Sequence, residues 1–316
     1  MDATIAADGP QIAVVGSTMM DLVAYMDRAP DAGETVVGQR FVSGFGGKGA
    51  NQAVVARSFG AEVSLIACVG DDGYGTQTLD HLVRLGIDVQ AVHRVPGSTG
   101  IAPIWVESDG TNRIIIVPGA NLHLTADVAA SAIDALASVD VAIGQLEVPQ
   151  EATAAGFRAA RQRGAVTILN PAPFAALDPR LLEFCDWLVP NEHELAAIVG
   201  TDATDDDALL RAAATTGTSL LVTLGAAGVA YVDGDDVRRS RAPIVTARDT
   251  TGAGDAFIGA FAYGLAAGRD AQSSIDLGLR TASDSVTRDG TQSSFPDTGR
   301  CRSLLQGLDP ATDPLD

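Results

Sequence analysis

The chain has 316 residues, 46 % of them hydrophobic, with 34 glycines and a formal net charge of −19. That length suits one large domain, residues 1–316 together, and short β-branched runs between Ala-rich stretches indicate an α/β protein around a buried parallel sheet. The acidity speaks against nucleic acid or an anionic membrane as a partner, because both select basic patches. Cys68, Cys185 and Cys301 are far apart in apolar or helical settings and form no metal spacing, which predicts reduced thiols in a cytoplasmic protein. The N-terminal segment carries Asp2 and Asp8 without a basic stretch ahead of a hydrophobic one, so no signal peptide is expected. No apolar run approaches the ~20 residues that span a bilayer.

Gln11–Gly16 reads as a first buried strand. Asp21–Val42 is polar and extended, with β-prone pieces at Leu22–Tyr25 and Thr35–Val37 broken by Pro30 and Gly33. Gly44–Gly49 leads into a helix that runs to about Ser58. A strand at Val63–Val69 and a helix at Gly75–Leu85 follow. From Val89 to Val117 the pattern turns to strands, with Ser108–Asn112 as a hairpin turn between Ile101–Val106 and Arg113–Val117. Helix 125–137, strand Val139–Ile143, helix 150–163 and strand Ala165–Asn170 then alternate. A short helix near Pro179–Phe184, strand Trp187–Val189, helices near 192–199 and 205–216 and strand Ser219–Thr223 continue the series. A hairpin-like pair, Gly228–Val232 and Val237–Arg241, precedes two C-terminal helices near 255–267 and 270–286. The expected fold is a doubly wound, mainly parallel sheet with ligands at the carboxyl ends of its strands. The β-rich segments, about 21–42 and 88–117, would form a small lid that shuts water out of the site.

Polar clusters fall where strands end: Met19-Met20-Asp21, Gln145-Leu146-Glu147, Asn170–Pro173, Pro190–Glu194 and Thr223–Gly228. Each alone also reads as a turn or a cap; all at one edge of a sheet they point to a binding site. Asp249–Phe257 sets Gly252 and Gly254 at a helix N-terminus, where unpaired N–H groups and the helix dipole favour phosphate. Asp255 then lies in the first turn, able to take a proton from a hydroxyl near that phosphate. Read alone, the run fits this cradle and an ordinary capped helix equally well. Lys48, the only lysine in the chain, stands inside Gly46–Asn51, and a compact cation there suits a phosphate.

The ordered series resembles the ribokinase (PfkB-type) carbohydrate kinase family over nearly the whole chain. The matching runs are Gly16-Ser17 with Asp21, Gly33-Glu34-Thr35, Gly46–Ala53, Gly119-Ala120-Asn121, Gln145–Glu147 and Asn170–Pro173. Pro190–Glu192, Thr223–Gly225, Asp249–Phe257 and Gly290–Ser294 complete the set.

The resemblance implies ATP-dependent phosphorylation of a sugar hydroxyl, for the family's namesake the 5-hydroxyl of D-ribose. It makes Asp255 the catalytic base and the amides of Gly252, Ala253 and Gly254 the anion hole. It assigns Asp21, Gly47, Lys48, Asn51, Glu147 and Asp255 to the substrate, and Asn191, Glu194, Thr223, Gly225, Gly228 and Gly254 to the nucleotide. Asn191-x-x-Glu194 implies Mg²⁺, held in part through its own water. It also implies a monovalent cation, usually K⁺, at Asp249, Thr251, Ser285, Arg288, Gly290 and Ser294, with the arginine contributing its carbonyl. A homodimer paired through the lid strands is expected.

The chain departs from the family pattern at Met19, where bacterial members carry asparagine in Gly-Ser-x-Asn-x-Asp to bind a sugar hydroxyl. Deoxyribose, fructose or a nucleoside such as adenosine therefore stay open as substrates. A non-catalytic sugar or nucleotide sensor is the reading outside the enzymes, and the retained Asp255 argues against it.

Overall fold

The chain is described by a computed structural model over residues 9–200 and 205–308; Asp2 and Asp8 of the expected acidic N-terminus lie outside the described residues. After β1 (Gln11–Val15) the chain leaves the sheet to form β2 (Met19–Met26) and β3 (Arg40–Gly46), an antiparallel pair. α1 (Lys48–Ser58) returns it to β4 (Glu62–Gly70), parallel to β1, and α2 (Gly73–Arg84) leads to β5 (Val92–Val95) beyond it. A second excursion adds β6 (Ile101–Glu107) and β7 (Asn112–Ile114) to the first pair. α3 (Ala126–Ala135) then crosses to β8 (Val141–Gly144), on the other side of β1. α4 (Gln150–Gln162), β9 (Val166–Leu169), α5 (Pro179–Glu183), β10 (Trp187–Leu188), α6 (Glu192–Val199), α7 (Asp206–Thr216) and β11 (Ser219–Thr223) extend that side. The antiparallel hairpin β12 (Val229–Asp233) and β13 (Asp236–Ser240) finishes the edge, and α8 (Ala253–Ala266), α9 (Ala271–Ser285) and α10 (Thr298–Gln306) follow.

The result is a nine-stranded sheet, ordered β13-β12-β11-β10-β9-β8-β1-β4-β5, and a four-stranded sheet, ordered β3-β2-β6-β7. The winding direction reverses at β1, so a crevice opens beyond the carboxyl ends of β1 and β8. Both faces of the large sheet are covered, which explains strands that are apolar without alternation. Ile12 and Val14 pack on one face with Phe257 and Phe261 of α8, whereas Ala13 and Val15 pack on the other with Phe157 of α4. Phe157 is fully buried, and truncating such a ring to alanine costs about 3–5 kcal/mol.

Three expectations need correction. Thr35–Val37 is not a strand; the partner of β2 is Arg40–Gly46, whose glycines hid it in the sequence. Val92–Val95 belongs to the large sheet beside β4 rather than to the lid. The β7 strand spans only Asn112–Ile114, although Val117 still forms an isolated bridge to Ile101. The helix α10 was not foreseen. Among the described residues, no helix is long and apolar enough to cross a membrane.

Helix starts separate architecture from site. Asp72, Asp270 and Asp297 cap α2, α9 and α10 through side-chain bonds of 2.7, 2.7 and 2.8 Å, each contributing about 1 kcal/mol. By contrast, α1 and α8 begin at Gly47 and Gly252, with φ of 89° and 78° and no side-chain cap. Both conformations are left-handed and suit glycine. At Gly47 the packing also demands it, because a Cβ would stand 2.7 Å from the Met19 nitrogen.

Candidate active site

The uncapped N-termini of α1 and α8 meet in the crevice beyond β1 and β8. Asp255, in the first turn of α8, is only 6 % exposed. Its Oδ2 accepts a 2.9 Å hydrogen bond from Nδ2 of Asn51, and its Oδ1 accepts one of 2.9 Å from Nε2 of Gln52. Gln52 is held in turn by Gln145, whose Nε2 donates to its Oε1 at 2.7 Å. Both carboxylate oxygens thus face amide donors, which fix how the carboxylate is turned in the crevice.

The first turn of α8 also supplies open donors. The Ala253 N–H is used within the turn, donating to the Thr250 carbonyl at 3.2 Å. Among the described residues, the N–H groups of Gly252, Gly254 and Asp255 have no protein acceptor. A Cβ on Gly254 would enter open space. An anion there would meet the positive end of the α8 dipole.

Carboxylates crowd the crevice around α1. Glu147, just after β8, accepts from the Ser17 hydroxyl and, at 2.9 Å, from the Lys48 backbone N–H. Burial pushes its pKa up, and the Lys48 ammonium opposes that rise. Asp21, on β2, accepts from the Thr291 hydroxyl at 3.2 Å. Burial raises its pKa to about 6; the Thr291 bond opposes this, while the charges of Glu147 and Asp255 add to it. For Lys48, burial is the largest influence and lowers the pKa, but the carboxylates of Asp255, Glu147 and Glu194 together hold it above its ordinary value. The ammonium therefore stays charged among acids that an incoming phosphate would join.

The residues expected to meet a nucleotide fall in two places. Asn191 and Glu194 form a capping box on α6: Asn191 Oδ1 accepts from the Glu194 N–H at 2.8 Å, and Glu194 Oε2 from the Asn191 N–H at 2.9 Å. Burial raises the Glu194 pKa. Thr223, at the end of β11, joins Gly225 and Gly228 in lining a cavity of about 330 Å³, with Gly254, Phe257 and Leu279 on the opposite wall. The walls are largely apolar and suit a flat ring system. A larger space of about 810 Å³ lies between the four-stranded sheet and the body, reaching Asp21, Asp249, Thr251 and Gly290.

Asp249 stitches two loops together. Its Oδ1 accepts from the Thr251 N–H and hydroxyl at 2.9 and 2.7 Å, and its Oδ2 from the Gly290 N–H at 2.8 Å. Burial raises the Asp249 pKa most, yet these donors prevail and hold it below the usual range. The backbone N–H groups of Arg248 and Asp249 donate to the Val286 carbonyl at 2.7 and 3.2 Å, bringing the end of α9 alongside. Of the other residues expected at a cation, the Ser285 carbonyl accepts from the Arg288 N–H at 3.1 Å, and the Ser294 carbonyl accepts from the Arg288 guanidinium at 2.7 and 2.9 Å. Asp249 and these carbonyls are hard oxygens of the kind a monovalent cation takes, but each already accepts from a protein donor, the Ser294 carbonyl from a guanidinium. No group of three or more His, Cys, Asp or Glu among the described residues could hold a metal. A divalent ion here would thus depend on Glu194, phosphate and water, as magnesium commonly does.

Sequence reasoning assigned no role to Ser17, Gln52, Thr291 or Gln292, all of which touch the site residues. All four lay inside the quoted runs, but their contacts depend on tertiary folding.

A model of the pfkB family carbohydrate kinases matches residues 10–298. A ribokinase of Lactococcus lactis is 36 % identical over 300 residues, covering 95 % of this chain and 98 % of that protein. A deoxyribokinase of Salmonella typhi is 37 % identical over 291 residues, covering 90 % of this chain and 95 % of that protein. The solved structure of Arabidopsis thaliana ribokinase complexed with ribose and ATP has a TM-score of 0.84 at 27 % identity, covering 94 % of this chain and 99 % of that one.

Proposed function

The chain belongs to the pfkB family of carbohydrate kinases, and from that premise we propose that it transfers the γ-phosphoryl group of ATP to the 5-hydroxyl of D-ribose. The observation that carries this reading is the convergence of Asp255, Asn51, Asp21 and Glu147 beside the open amides at the start of α8. Asp255 accepts the proton of the hydroxyl as its oxygen bonds to the γ-phosphorus. The bond from that phosphorus to the bridging oxygen breaks, and ADP departs. The N–H groups of Gly252 and Gly254, with the Asp255 N–H, face the charge on the transferring group. Ala253 contributes through the turn that its N–H closes. Thr223, Gly225 and Gly228 hold the nucleotide base, and Lys48 neutralises phosphate charge.

Glu194 and Asn191 would hold Mg²⁺ through water, and the 249–251 and 285–294 loops would hold K⁺; such ions neutralise phosphate charge and stiffen the loop at Gly252. The exposed apolar lid residues Phe41, Ile114 and Ile115 support a homodimer.

A second substrate reading has a specific observation behind it. Met19 shares the Asp21 face of β2, because alternate strand residues do, and it is almost fully buried. It has no group to bind a sugar hydroxyl, and a relative named deoxyribokinase stands as near in identity as the ribokinase. 2-Deoxyribose is therefore the alternative. A coupled ADP-release assay over ribose, deoxyribose, fructose and adenosine decides: ribose is expected to give the highest kcat/KM, deoxyribose ahead of ribose would shift the assignment, and no turnover on any would overturn both.

A further inference from the structure

We propose that Gln292 and His81 are positioning residues that orient the Asn51 amide, and through it Asp255, by a hydrogen-bond relay with a fixed direction. The relay rests on the reading of Asp255 as general base. It crosses four segments of the chain: α2, the loop after α9, α1 and α8. His81 Nε2 lies 2.9 Å from Gln292 Oε1. Gln292 Nε2 lies 3.0 Å from Asn51 Oδ1, and Asn51 Nδ2 lies 2.9 Å from Asp255 Oδ2.

The direction follows from the base end. An ionised carboxylate only accepts, so Asn51 must turn its nitrogen to Asp255 and its oxygen away. That oxygen also only accepts, so Gln292 must present its nitrogen there and leave its own oxygen outward. The group facing the Gln292 oxygen must then donate, which places a proton on His81 Nε2. Reversing either amide would set oxygen against oxygen. Phe45 of β3 stacks on the His81 ring, with centroids 3.8 Å apart and planes 6° apart, and fixes the plane in which Nε2 points. Asp255 Oδ1 is served in the same manner by Gln145 and Gln52. The buried relay is closed to the lid, whereas the His81 relay begins at a ring against a lid strand.

The test compares Gln292→Met, His81→Phe, their double variant and His81→Gln, with Asp255→Asn measured in parallel. Loss of one such bond should lower kcat about tenfold and leave the KM for ATP unchanged. The double variant should be no worse than the poorer single one, since both act through the same Asn51 bond. His81→Gln, which restores a donor near the Nε2 position, should recover most of the loss. Wild-type kcat in both singles, losses that multiply in the double variant, or a His81→Gln enzyme as slow as His81→Phe would each overturn the proposal. Should His81→Phe not fold, Gln292→Glu replaces it: a carboxylate facing the Asn51 oxygen should slow the enzyme more than methionine does, and equal rates would count against the relay. Turnover retained by Asp255→Asn would instead remove the base itself, a failure distinct from an inactive Asp255→Asn beside fully active relay variants.

Discussion

Asn51 and Asp255 are separated by 204 positions in sequence and joined by a 2.9 Å hydrogen bond. The bond ties the first turn of α1 to the first turn of α8, the two helices that start at uncapped glycines. In the proposed function, one helix carries contacts to the acceptor, and the other carries the base and the anion-facing amides.

Replacing Asp255 by asparagine removes the proton acceptor and sets an amide nitrogen against the donors of Asn51 or Gln52. Turnover should fall by roughly 10²–10⁴, the usual worth of a general base, while calorimetry still detects sugar binding. Turnover within a few-fold of wild type would assign the base elsewhere.

Gly254→Val probes the anion site apart from the fold. Since a Cβ at Gly254 meets nothing, thermal melts should match wild type within a few degrees, yet activity should be lost as the side chain fills the phosphoryl position. An active variant would place the phosphoryl group away from this turn.

The Asp21 pKa, raised to about 6 chiefly by burial, has a definite stability sign. The folded state holds this proton more tightly than the unfolded chain does. Its contribution is therefore complete below about pH 4 and is lost as pH rises through about 6. Asp21→Asn should stabilise the protein by about 1–3 kcal/mol at pH 8, with the gain shrinking towards pH 5, while sugar KM rises. Urea melts at the two pH values check the sign, and an equal gain at both would exclude a titrating Asp21.

Potassium should activate more than sodium, and Asp249→Ala should flatten the response. The hydrogen bonds from Thr251 and Gly290 already tie that carboxylate to both loops, so the variant should also loosen the turn before Gly252. Equal rates with either ion, or with neither, would remove the cation from the mechanism.

Sedimentation should give a dimer, and a charge at the exposed lid position, Ile115→Asp, should dissociate it. A wild-type monomer at micromolar concentration would refute pairing through the lid.

Much of this was legible in the sequence, for identifiable reasons. The large sheet announced itself through unbroken β-branched runs, because strands buried on both faces need no polar positions. Asp255 and its flanking glycines were readable because helix-start chemistry is local. Strand β3 was not, because Arg40–Gly46 carries glycines and exposed residues where an alternating pattern would be sought. The contacts of Gln52, Thr291 and Gln292 were also hidden. Thr291 meets Asp21 across 270 positions and Gln292 meets Asn51 across 241, and no periodicity encodes such meetings. The strand ends supplied the pieces; the reversal of winding at β1 assembled them.

Lys48 carries the chain's only side-chain primary amine, and it stands among Asp255, Glu147 and Glu194. The protein thus has no decoy lysine. A lysine-modifying enzyme, or a reagent selective for amines, can therefore alter only this one side chain, and a bound phosphate would shield it. The same scarcity makes the increment on the one peptide that contains Lys48, counted apart from the N-terminal amine, a gauge of how fully that crevice is occupied.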